Sequence, residues 1–277
     1  MKFDRWRRLR SVEYEFRNSL LKICKLFNKI ATSTQQDQQA YINAMNNFQN
    51  SDEYNRFVSS AVKRMVTGLY QGNSNTWREA ARKATKGKML YGALMEELRK
   101  GDSRIMQDQI VENISLIKTL PNDVATKVVK DIEEATLKGK RASEIEKIIR
   151  VQTDKHSRAS ARLIARTEVS KTTTALTKQR SEQLDLHWYV WRTALDGDRV
   201  RKSHRNMEDV LVNWNNPPSP EALVGEKDVG KYHAGNIWNC RCYPEPLLDV
   251  DYVNWPHKVY YNGSIQKMSK NQFEQLM

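Results

Sequence analysis

Cysteine, proline and glycine are all scarce in this chain. Its 277 residues include 3 cysteines, 7 prolines and 11 glycines. So few cysteines do not make a disulfide framework, and cysteines separated by one residue seldom bridge to each other without strain. With 39% hydrophobic and 29% charged residues, the composition excludes a collagen-like or disordered chain and favours a folded, helix-rich protein.

Long apolar runs and an excess of acidic residues are missing too. No stretch is apolar enough to span a bilayer, so no membrane partner is expected. The basic first eight residues lack a following apolar run, which predicts synthesis in a reducing cytoplasm without a secretory signal. The 46 lysines and arginines outnumber 33 aspartates and glutamates, giving a formal charge of +13. This charge favours anionic partners such as nucleic acid, although a basic protein without one fits equally well.

Helical periodicity dominates the first half of the chain. Apolar residues recur at spacings of three and four over residues 3–30, which predicts one long amphipathic helix. A polar run at residues 32–39 then predicts a linker. Residues 76–79 and 143–146 have the form of capping boxes, which predict the starts of further helices. Residues 157–184 predict one more helix.

The pattern changes to strands and loops near the C-terminus. Residues 187–193 are aromatic and β-branched, which predicts a strand, and residues 211–214 predict a second one. The prolines of residues 217–220 force an extended loop. Residues 260–263 predict a hairpin turn, and Ser269 predicts a helix cap. The predicted fold class is mostly α with a small C-terminal α+β domain, after an elongated helical N-terminal region.

Four residues of the C-terminal third are of the types that bind zinc. They are His204, His233, Cys240 and Cys242. A small loop-rich domain buries little core, and one bound structural zinc ion would stabilise it. A single residue between the cysteines makes chelation by both thiolates harder, however, than the usual knuckle spacing. The alternative is that both cysteines face one side of an extended segment and fill a small core without metal.

Ordered polar motifs between residues 138 and 246 resemble a known family. Each motif is unspecific alone, and the resemblance lies in their order. The residues are Gly139, Ser143, Glu146, Arg166, Thr167, Glu168, Trp191, Asp198, Arg199, Arg201, His204, Asn239, Cys240, Arg241 and Cys242. In this order they resemble the phage minor head proteins of the Mu F-like family.

The resemblance implies a low-copy structural component of a tailed bacteriophage or prophage, and not an enzyme. It implies a place in the virion head near the portal, reached by assembly in the host cytoplasm, and a role in head morphogenesis, DNA packaging or DNA delivery. The expected partners are the portal protein, a capsid or scaffolding protein, and packaged double-stranded DNA. The expected division is a helical portal- or capsid-binding region at 1–137, a Mu F-like α+β domain at 138–250 and a tail at 251–277.

The basic turn at residues 199–205 admits either phosphate contact or pairing with carboxylates. We expect pairing with Glu168, Asp196 and Asp198, because a planar guanidinium can brace several loops at once. In the same way, Arg166 and Glu168 are expected to anchor the long helix to the small domain. Trp191 is expected in the core.

Two other function classes stay open. A metal-dependent nuclease is one, because His204, Asn206 or Asn236, and His233 superficially resemble a histidine-asparagine-histidine site. Such a site needs a second histidine at a helix end, which the sequence does not show clearly. The other is a nucleic-acid-binding module, which would bind DNA with a steep salt dependence.

Overall fold

The structure, a computed structural model, describes residues 6, 9–34, 37–84, 87–100, 104–194 and 200–277. Helices fill most of the first two thirds of these residues, and a five-stranded sheet follows. The predicted fold class, mostly α with a small C-terminal α+β part, is confirmed. Within the described ranges, no helix combines the length and the apolar character that crossing a bilayer requires.

The chain divides into two compact units that are each discontinuous in sequence. Unit 1 comprises Met1–Leu9, Gly68–Met106 and Val169–Met277, and unit 2 comprises Arg10–Thr67 and Gln107–Glu168. Two long helices, α3 (Asp52–Lys83) and α7 (Ala142–Gln183), contribute residues to both units. The division into 1–137, 138–250 and 251–277 follows the order of the motifs instead, and it stays a prediction.

Unit 2 is built from helices. Besides its parts of α3 and α7 it contains α1 (Arg10–Ser33), α2 (Gln38–Gln49), α6 (Leu120–Leu137) and most of α5 (Arg104–Lys118). The apolar stripe of α1 is buried as its periodicity predicts, with Phe16, Leu20, Ile23 and Phe27 at most 3% exposed. The helix begins at Arg10, and Phe3, where the stripe was expected to start, lies outside the described residues.

The linker predicted at residues 32–39 is shorter in the structure, because residues 32–33 belong to α1 and residues 38–39 to α2, and residues 35–36 lie outside the described residues. The Asp37 side chain accepts a hydrogen bond from the backbone N–H of Gln39 and thereby caps the start of α2. Inside unit 2, the Tyr54 hydroxyl donates to the carbonyl of Ile117 at 2.6 Å. The Tyr54 hydroxyl is therefore paired although its ring is buried.

The two predicted capping boxes do not begin helices where they were expected. Residues 76–79 lie inside α3, because the polar side chains just before them are bonded within unit 1 and do not interrupt the helix. Near the second predicted box, helix α7 begins at Ala142. The N–H of Arg141 donates to Oε2 of Glu144 there, at 3.0 Å. Glu144 therefore does what the sequence pattern predicted for Glu146.

Unit 1 contains the sheet and the helix α4 (Gly87–Lys100). The strands are β1 (Trp188–Arg192), β2 (Val210–Asn213), β3 (Tyr243–Pro246), β4 (His257–Tyr261) and β5 (Ser264–Met268), in the spatial order β3-β1-β2-β4-β5. Pairing is antiparallel except between β2 and β4. The strands predicted at 187–193 and 211–214 are β1 and β2.

Both faces of β1 are buried, because its alternating side chains enter two different cores. Tyr189 and Trp191 pack in one core with the cysteine-bearing loop, and Trp188 and Val190 pack in the other with Phe273. The predicted hairpin turn joins β4 to β5. The predicted cap at Ser269 forms a capping box that starts α9 (Lys270–Glu274).

Candidate metal centre

Two loops bring a histidine and both paired cysteines into the same core of unit 1. The short helix α8 (Lys202–Asn206) follows β1 and carries His204, whereas Cys240 and Cys242 lie in the irregular segment just before β3. Because β3 pairs with β1, both segments reach the face of β1 on which Trp191 lies. The Trp191 and His204 ring centroids are 5.8 Å apart.

The ligand atoms of these three side chains converge on one point. The Nδ1 atom of His204 lies 3.3 Å from Sγ of Cys242 and 3.6 Å from Sγ of Cys240. Zinc bonds of about 2.3 Å to sulfur and 2.0–2.1 Å to nitrogen would place tetrahedral ligands about 3.5 Å apart. All three atoms lie within 4.8 Å of one another, and the residues are 2–3% exposed. The observed spacing therefore matches a tetrahedral metal site, and it also permits thiol-to-imidazole hydrogen bonds.

The far side of the His204 ring is fixed by a chain of hydrogen bonds. Its Nε2 atom lies 2.9 Å from the Tyr232 hydroxyl, and that hydroxyl lies 2.7 Å from both carboxylate oxygens of Glu221. Burial, followed by the Glu221 carboxylate, raises the pKa of Tyr232, which keeps the phenol protonated. Tyr232 therefore donates to Glu221 and accepts from Nε2–H. The lone pair of a neutral His204 is then on Nδ1, facing the two sulfurs.

The two thiols do not share the same proton affinity. A hydrogen bond from Cys242, together with His204, lowers the pKa of Cys240 despite its burial. Burial raises the pKa of Cys242, and the neighbouring Cys240 raises it further. The backbone N–H of Cys242 also donates to Sγ of Cys240 at 3.4 Å. Of the two sulfurs, Cys240 is therefore the one that loses its proton more readily to a metal ion.

Helix α7 holds the cysteine-bearing loop by two side-chain hydroxyls. Ser170 Oγ donates to the carbonyl of Cys240 at 3.3 Å, and Thr174 Oγ1 donates to the carbonyl of Ala234 at 2.8 Å. Gly235 makes this approach feasible, with φ of +87° and with Thr174 Oγ1 only 2.5 Å from where a Cβ would lie. The loop therefore depends on a glycine for close contact with the helix.

A cavity of about 100 Å³ adjoins the three ligand residues. Arg201 and Arg241 are among the residues that line it, and no acidic side chain is found among its described lining residues. Arg201 donates to the carbonyl of Trp238 at 3.0 Å, and its guanidinium lies 5.6 Å from the centre of the Trp238 ring. Two arginines and two cysteines are therefore among the residues that line the same cavity.

The predicted zinc ligands are only partly brought together. His204, Cys240 and Cys242 form the group, whereas His233 is not a member of it. The Nδ1 atom of His233 lies 3.2 Å from the Tyr189 hydroxyl, and its ring packs edge-on against Trp214. Burial lowers the pKa of His233 to about 4, so it is neutral at pH 7.

The remaining motif residues are distributed over both units. Asp198 and Arg199, as well as Asp196, lie outside the described residues. Within unit 2, Nε of Arg166 lies 3.7 Å from Oε1 of Glu13 on α1, a neighbour the sequence did not indicate. Thr167 and Glu168 are buried in α7, and Asn239 is exposed with a φ of +57°. Trp191 is fully buried, as expected.

Sequence reasoning missed the residues that support the centre. Tyr232 and Glu221 lie in the proline-rich loop region, and no pattern linked either of them to His204. Among the residues that the structure describes in unit 1, Arg192 at the end of β1 makes an arginine-carboxylate brace that the sequence did not indicate, and the predicted pairing of residues 199–205 stays a prediction. Arg192 donates to Glu245 on β3 and to Asp209 just before β2. Its position at a strand end, among acids distant in sequence, gave no signal.

Comparison with known families bears on the same region. Residues 126–244 match the sequence profile of the family described as Phage Mu protein F like protein. The matched stretch contains His204, Cys240 and Cys242 together with β1 and β2. The resemblance identified from the ordered motifs is therefore confirmed over these residues.

A curated protein is also similar to part of this chain. An uncharacterized protein of Haemophilus influenzae is 32% identical over 137 residues, which amount to 50% of this chain and 28% of the relative. The aligned part thus spans little more than a quarter of the relative's length. No solved structure matches the chain.

Proposed function

We propose that this chain is a minor head protein of a tailed bacteriophage or prophage, which acts in head morphogenesis. The observation that carries the proposal is the Mu F-like match over residues 126–244. This stretch includes the part of unit 1 where His204, Cys240 and Cys242 meet. Because the match is to a phage protein family, the expected location is the virion, reached after assembly in the host cytoplasm.

The proposed partners are other components of the head. Foremost is the portal protein, with a capsid or scaffolding protein and packaged double-stranded DNA as further partners. The charge of +13 supports a place near DNA, since it lowers the electrostatic cost of approaching phosphates. DNA packaging and DNA delivery are the steps at which a portal-associated protein would act.

We propose no catalytic activity for His204. Its Nδ1 faces the two sulfurs and its Nε2 is bonded to Tyr232, so neither ring nitrogen is available to take a proton from water. His233 is bonded to Tyr189 in the core and supplies no second nuclease histidine. Incubation of plasmid DNA with the purified protein and Mg²⁺ or Mn²⁺ should produce no nicking. Metal-dependent nicking that His204→Ala abolishes would contradict this proposal.

We propose that His204, Cys240 and Cys242 hold one structural zinc ion. The three ligand atoms have the spacing of a tetrahedral zinc site. Metal-bound histidines usually have a hydrogen bond at the ring nitrogen that does not bind the metal, and Tyr232, held by Glu221, makes this hydrogen bond to His204. The ion would link α8 to the loop before β3. When the free zinc concentration is a hundred times the dissociation constant, zinc binding would stabilise the folded chain by about 3 kcal/mol.

The portal association is tested by co-expressing the chain with the portal protein of the same phage. The two proteins should co-elute in size-exclusion chromatography after affinity purification through a tag on the portal protein alone. A portal protein from an unrelated phage serves as the control and should elute without the chain. Two folded proteins that elute separately would count against portal association, and mass spectrometry of purified virions would test head location independently.

The zinc site is tested by elemental analysis of the purified full chain. We expect close to one zinc per chain, and its loss in Cys240→Ser and Cys242→Ser. Cys24 offers a matched control, because it is equally buried but lies in α1, and Cys24→Ser should keep the metal. A chelator should lower the Tm of the wild type by about 5–10 °C and leave Cys242→Ser unchanged. If the wild-type protein contains no zinc by elemental analysis even after it is refolded in excess zinc, the proposed site is refuted.

A further inference from the structure

Helices α1 and α7 lie side by side in unit 2 and run in opposite directions. The side-chain amide of Asn28 on α1 donates to Oδ1 of Asp154 on α7 at 2.6 Å. Nearer the start of α1, Glu13 meets Arg166, which lies further along α7. The order of these contacts rises along one helix and falls along the other, so the two helices form an antiparallel pair.

Six exposed basic residues lie on the solvent side of this helix pair. The Cys24 thiol faces Ser157, and the Arg158 guanidinium is near enough to act on that thiol electrostatically. Lys25 and Arg158 each follow this contact by one residue, and in an antiparallel pair a turn of about 100° leads to the same side on both helices. The residues three before and four after each of them share its side of the helix. We define the basic face as Lys22, Lys25 and Lys29 on α1 and Lys155, Arg158 and Arg162 on α7, all of them exposed.

One carboxylate, that of Asp154, lies between the two rows of the basic face. It accepts hydrogen bonds from Nε of Arg158 at 2.8 and 2.9 Å and from Asn28. Within the described parts of the chain, the other five cations of the face form no ion pair. The nearest exposed acid of these two helices in sequence is Glu15, about two turns before Lys22. Six cations and one carboxylate leave the face with a net charge of +5.

This charge is a property of unit 2 itself. The residue ranges that form unit 2 are described except for residues 35 and 36, which are glutamines and carry no charge. Much of the negative charge of unit 2 lies on three other helices, at Asp52, Glu53, Asp108, Glu112, Asp123, Asp131, Glu133 and Glu134. Basic residues are therefore concentrated on one side of the unit.

The composition of the basic face suits phosphate groups better than a protein surface. Four of its six residues are lysines, a residue type that is depleted in the centres of protein interfaces because its ammonium group is strongly hydrated. Contacts of lysine and arginine with phosphates need no apolar centre, because they gain free energy by releasing counterions from the nucleic acid.

The dimensions of the face favour a duplex over a single strand. Each row extends over seven residues, which amounts to about 10 Å of helix, and neighbouring helices pack about 8–10 Å apart. About 10 Å of duplex carries about six phosphates on its two strands, and the same rise of one strand carries about three. Six cations in two rows therefore have the charge density of a duplex.

We propose that the basic face binds the phosphate backbone of double-stranded DNA, independently of its base sequence. The inference deepens the proposed head function, in which packaged double-stranded DNA is a partner, and rests on it for the source of the DNA. It assigns the contact to α1 and α7 of unit 2 and not to the cysteine-bearing part of unit 1.

Fluorescence anisotropy with the full chain and a short labelled DNA duplex tests the proposal. Affinity should fall steeply between about 50 and 200 mM salt. The slope of log affinity against log salt concentration should be about −5 if each of the six cations neutralises one phosphate. Absence of binding at about 50 mM salt would overturn the inference.

Variants of the two rows show whether the face makes the contact. The combined substitutions Lys155→Gln, Arg158→Gln and Arg162→Gln should weaken binding at least tenfold at about 0.1 M salt and make the slope shallower by about 3. Replacing the three α1 lysines by glutamine should have the same effect. Those lysines are exposed and form no ion pair among the described residues, so the α1 variant tests the face even if loss of Arg158 lowers stability.

A matched control separates the face from the net charge of the chain. Arg56, Lys63 and Arg64 are exposed on α3 within unit 2 and, like the α7 row, comprise one lysine and two arginines. Their combined replacement by glutamine should weaken binding about threefold or less, because salt screens charges away from the contact. An equal loss in the control and in the two row variants would overturn the inference, since net charge would then explain the binding.

A single strand of the same length tests the choice of a duplex. It should bind more weakly than the duplex, because it carries half the charge for the same rise. Tighter binding of the single strand would overturn the assignment to double-stranded DNA. Loss of this inference would leave the proposed head function intact, because co-elution with the portal protein and presence in purified virions are measured without added DNA.

Discussion

Two buried polar clusters in unit 1 differ in the kind of groups that they bring together. In the first cluster, the Arg180 guanidinium donates to Asn73 on α3 and, at 2.7 Å, to Ser74. Asn73 in turn donates to Thr177 at 2.9 Å, and the guanidinium lies 4.7 Å from the Tyr70 ring centre. Both terminal nitrogens of the guanidinium and the amide nitrogen of Asn73 therefore meet acceptors of the protein itself.

The second cluster is the candidate metal centre, where His204, Cys240 and Cys242 bring nitrogen and sulfur atoms together. His204 Nδ1 and the two sulfurs have only weak thiol hydrogen bonds to offer each other without a cation. The difference shows that burial of polar groups has two origins in one small unit. The Arg180 cluster joins α3 to α7 through protein atoms alone, whereas the cysteine cluster has the geometry of a site that an ion completes.

The largest expected effect comes from breaking the complete cluster. Arg180→Met should lower the free energy of unfolding by about 4 kcal/mol, because it leaves buried acceptors on Asn73 and Ser74 without their donor. Urea denaturation measures the change. Arg162→Met, at an exposed position of the same helix, should change it by less than about 0.5 kcal/mol. Similar unfolding midpoints for the two variants would contradict the stabilising role of the Arg180 cluster.

An effect of intermediate size is expected on the pH dependence of stability, and it comes from His233, which lies outside the candidate metal centre. Its pKa is about 4 in the folded chain, lowered by burial and then by Lys178, against about 6.5 when unfolded. Between these values the unfolded chain binds the proton and the folded chain does not. Stability should therefore be complete above pH 6.5 and fall by up to about 3 kcal/mol as the pH falls towards 4.

The variant His233→Gln should flatten this pH dependence, as measured by urea unfolding at a series of pH values. His187→Gln is the control, because His187 is exposed and should leave the slope as it is in the wild type. An unchanged slope in His233→Gln would mean that other groups cause the acid sensitivity. Retained zinc in the same variant would sharpen the distinction between His233 and His204.

The smallest expected effect concerns the contact between α7 and the cysteine-bearing loop. Gly235→Ala places a Cβ 2.5 Å from Thr174 Oγ1, whereas Gly230→Ala meets no atom within 4 Å although its φ is also positive. Both variants gain backbone strain, so their difference isolates the clash. Gly235→Ala should be less stable by about 2 kcal/mol more than Gly230→Ala and should bind zinc more weakly. Equal zinc affinity in the two variants would separate the loop contact from the metal centre.

Local sequence patterns predicted the elements that local interactions specify. The amphipathic stripe of α1, the aromatic strand β1 and the turn at residues 260–263 each follow from spacing or from turn chemistry over a few residues. The polar residues before Trp77 misled the same reasoning, because they resemble a helix boundary. Their partner, Arg180, is about a hundred residues further along the chain, and only the fold brings it close.

The sequence by itself determined the fold class, the Mu F-like resemblance and the residue types of the candidate site. His204, Cys240 and Cys242 were identifiable because imidazole and thiol groups are rare and chemically distinctive in this chain. Tertiary structure alone decided that His233 bonds to Tyr189 instead, that Tyr232 and Glu221 orient His204, and that Arg201 and Arg241 line one cavity. The physical reason is that these contacts join loops whose conformations have no periodicity, so sheet pairing and helix packing set their positions and local preference does not.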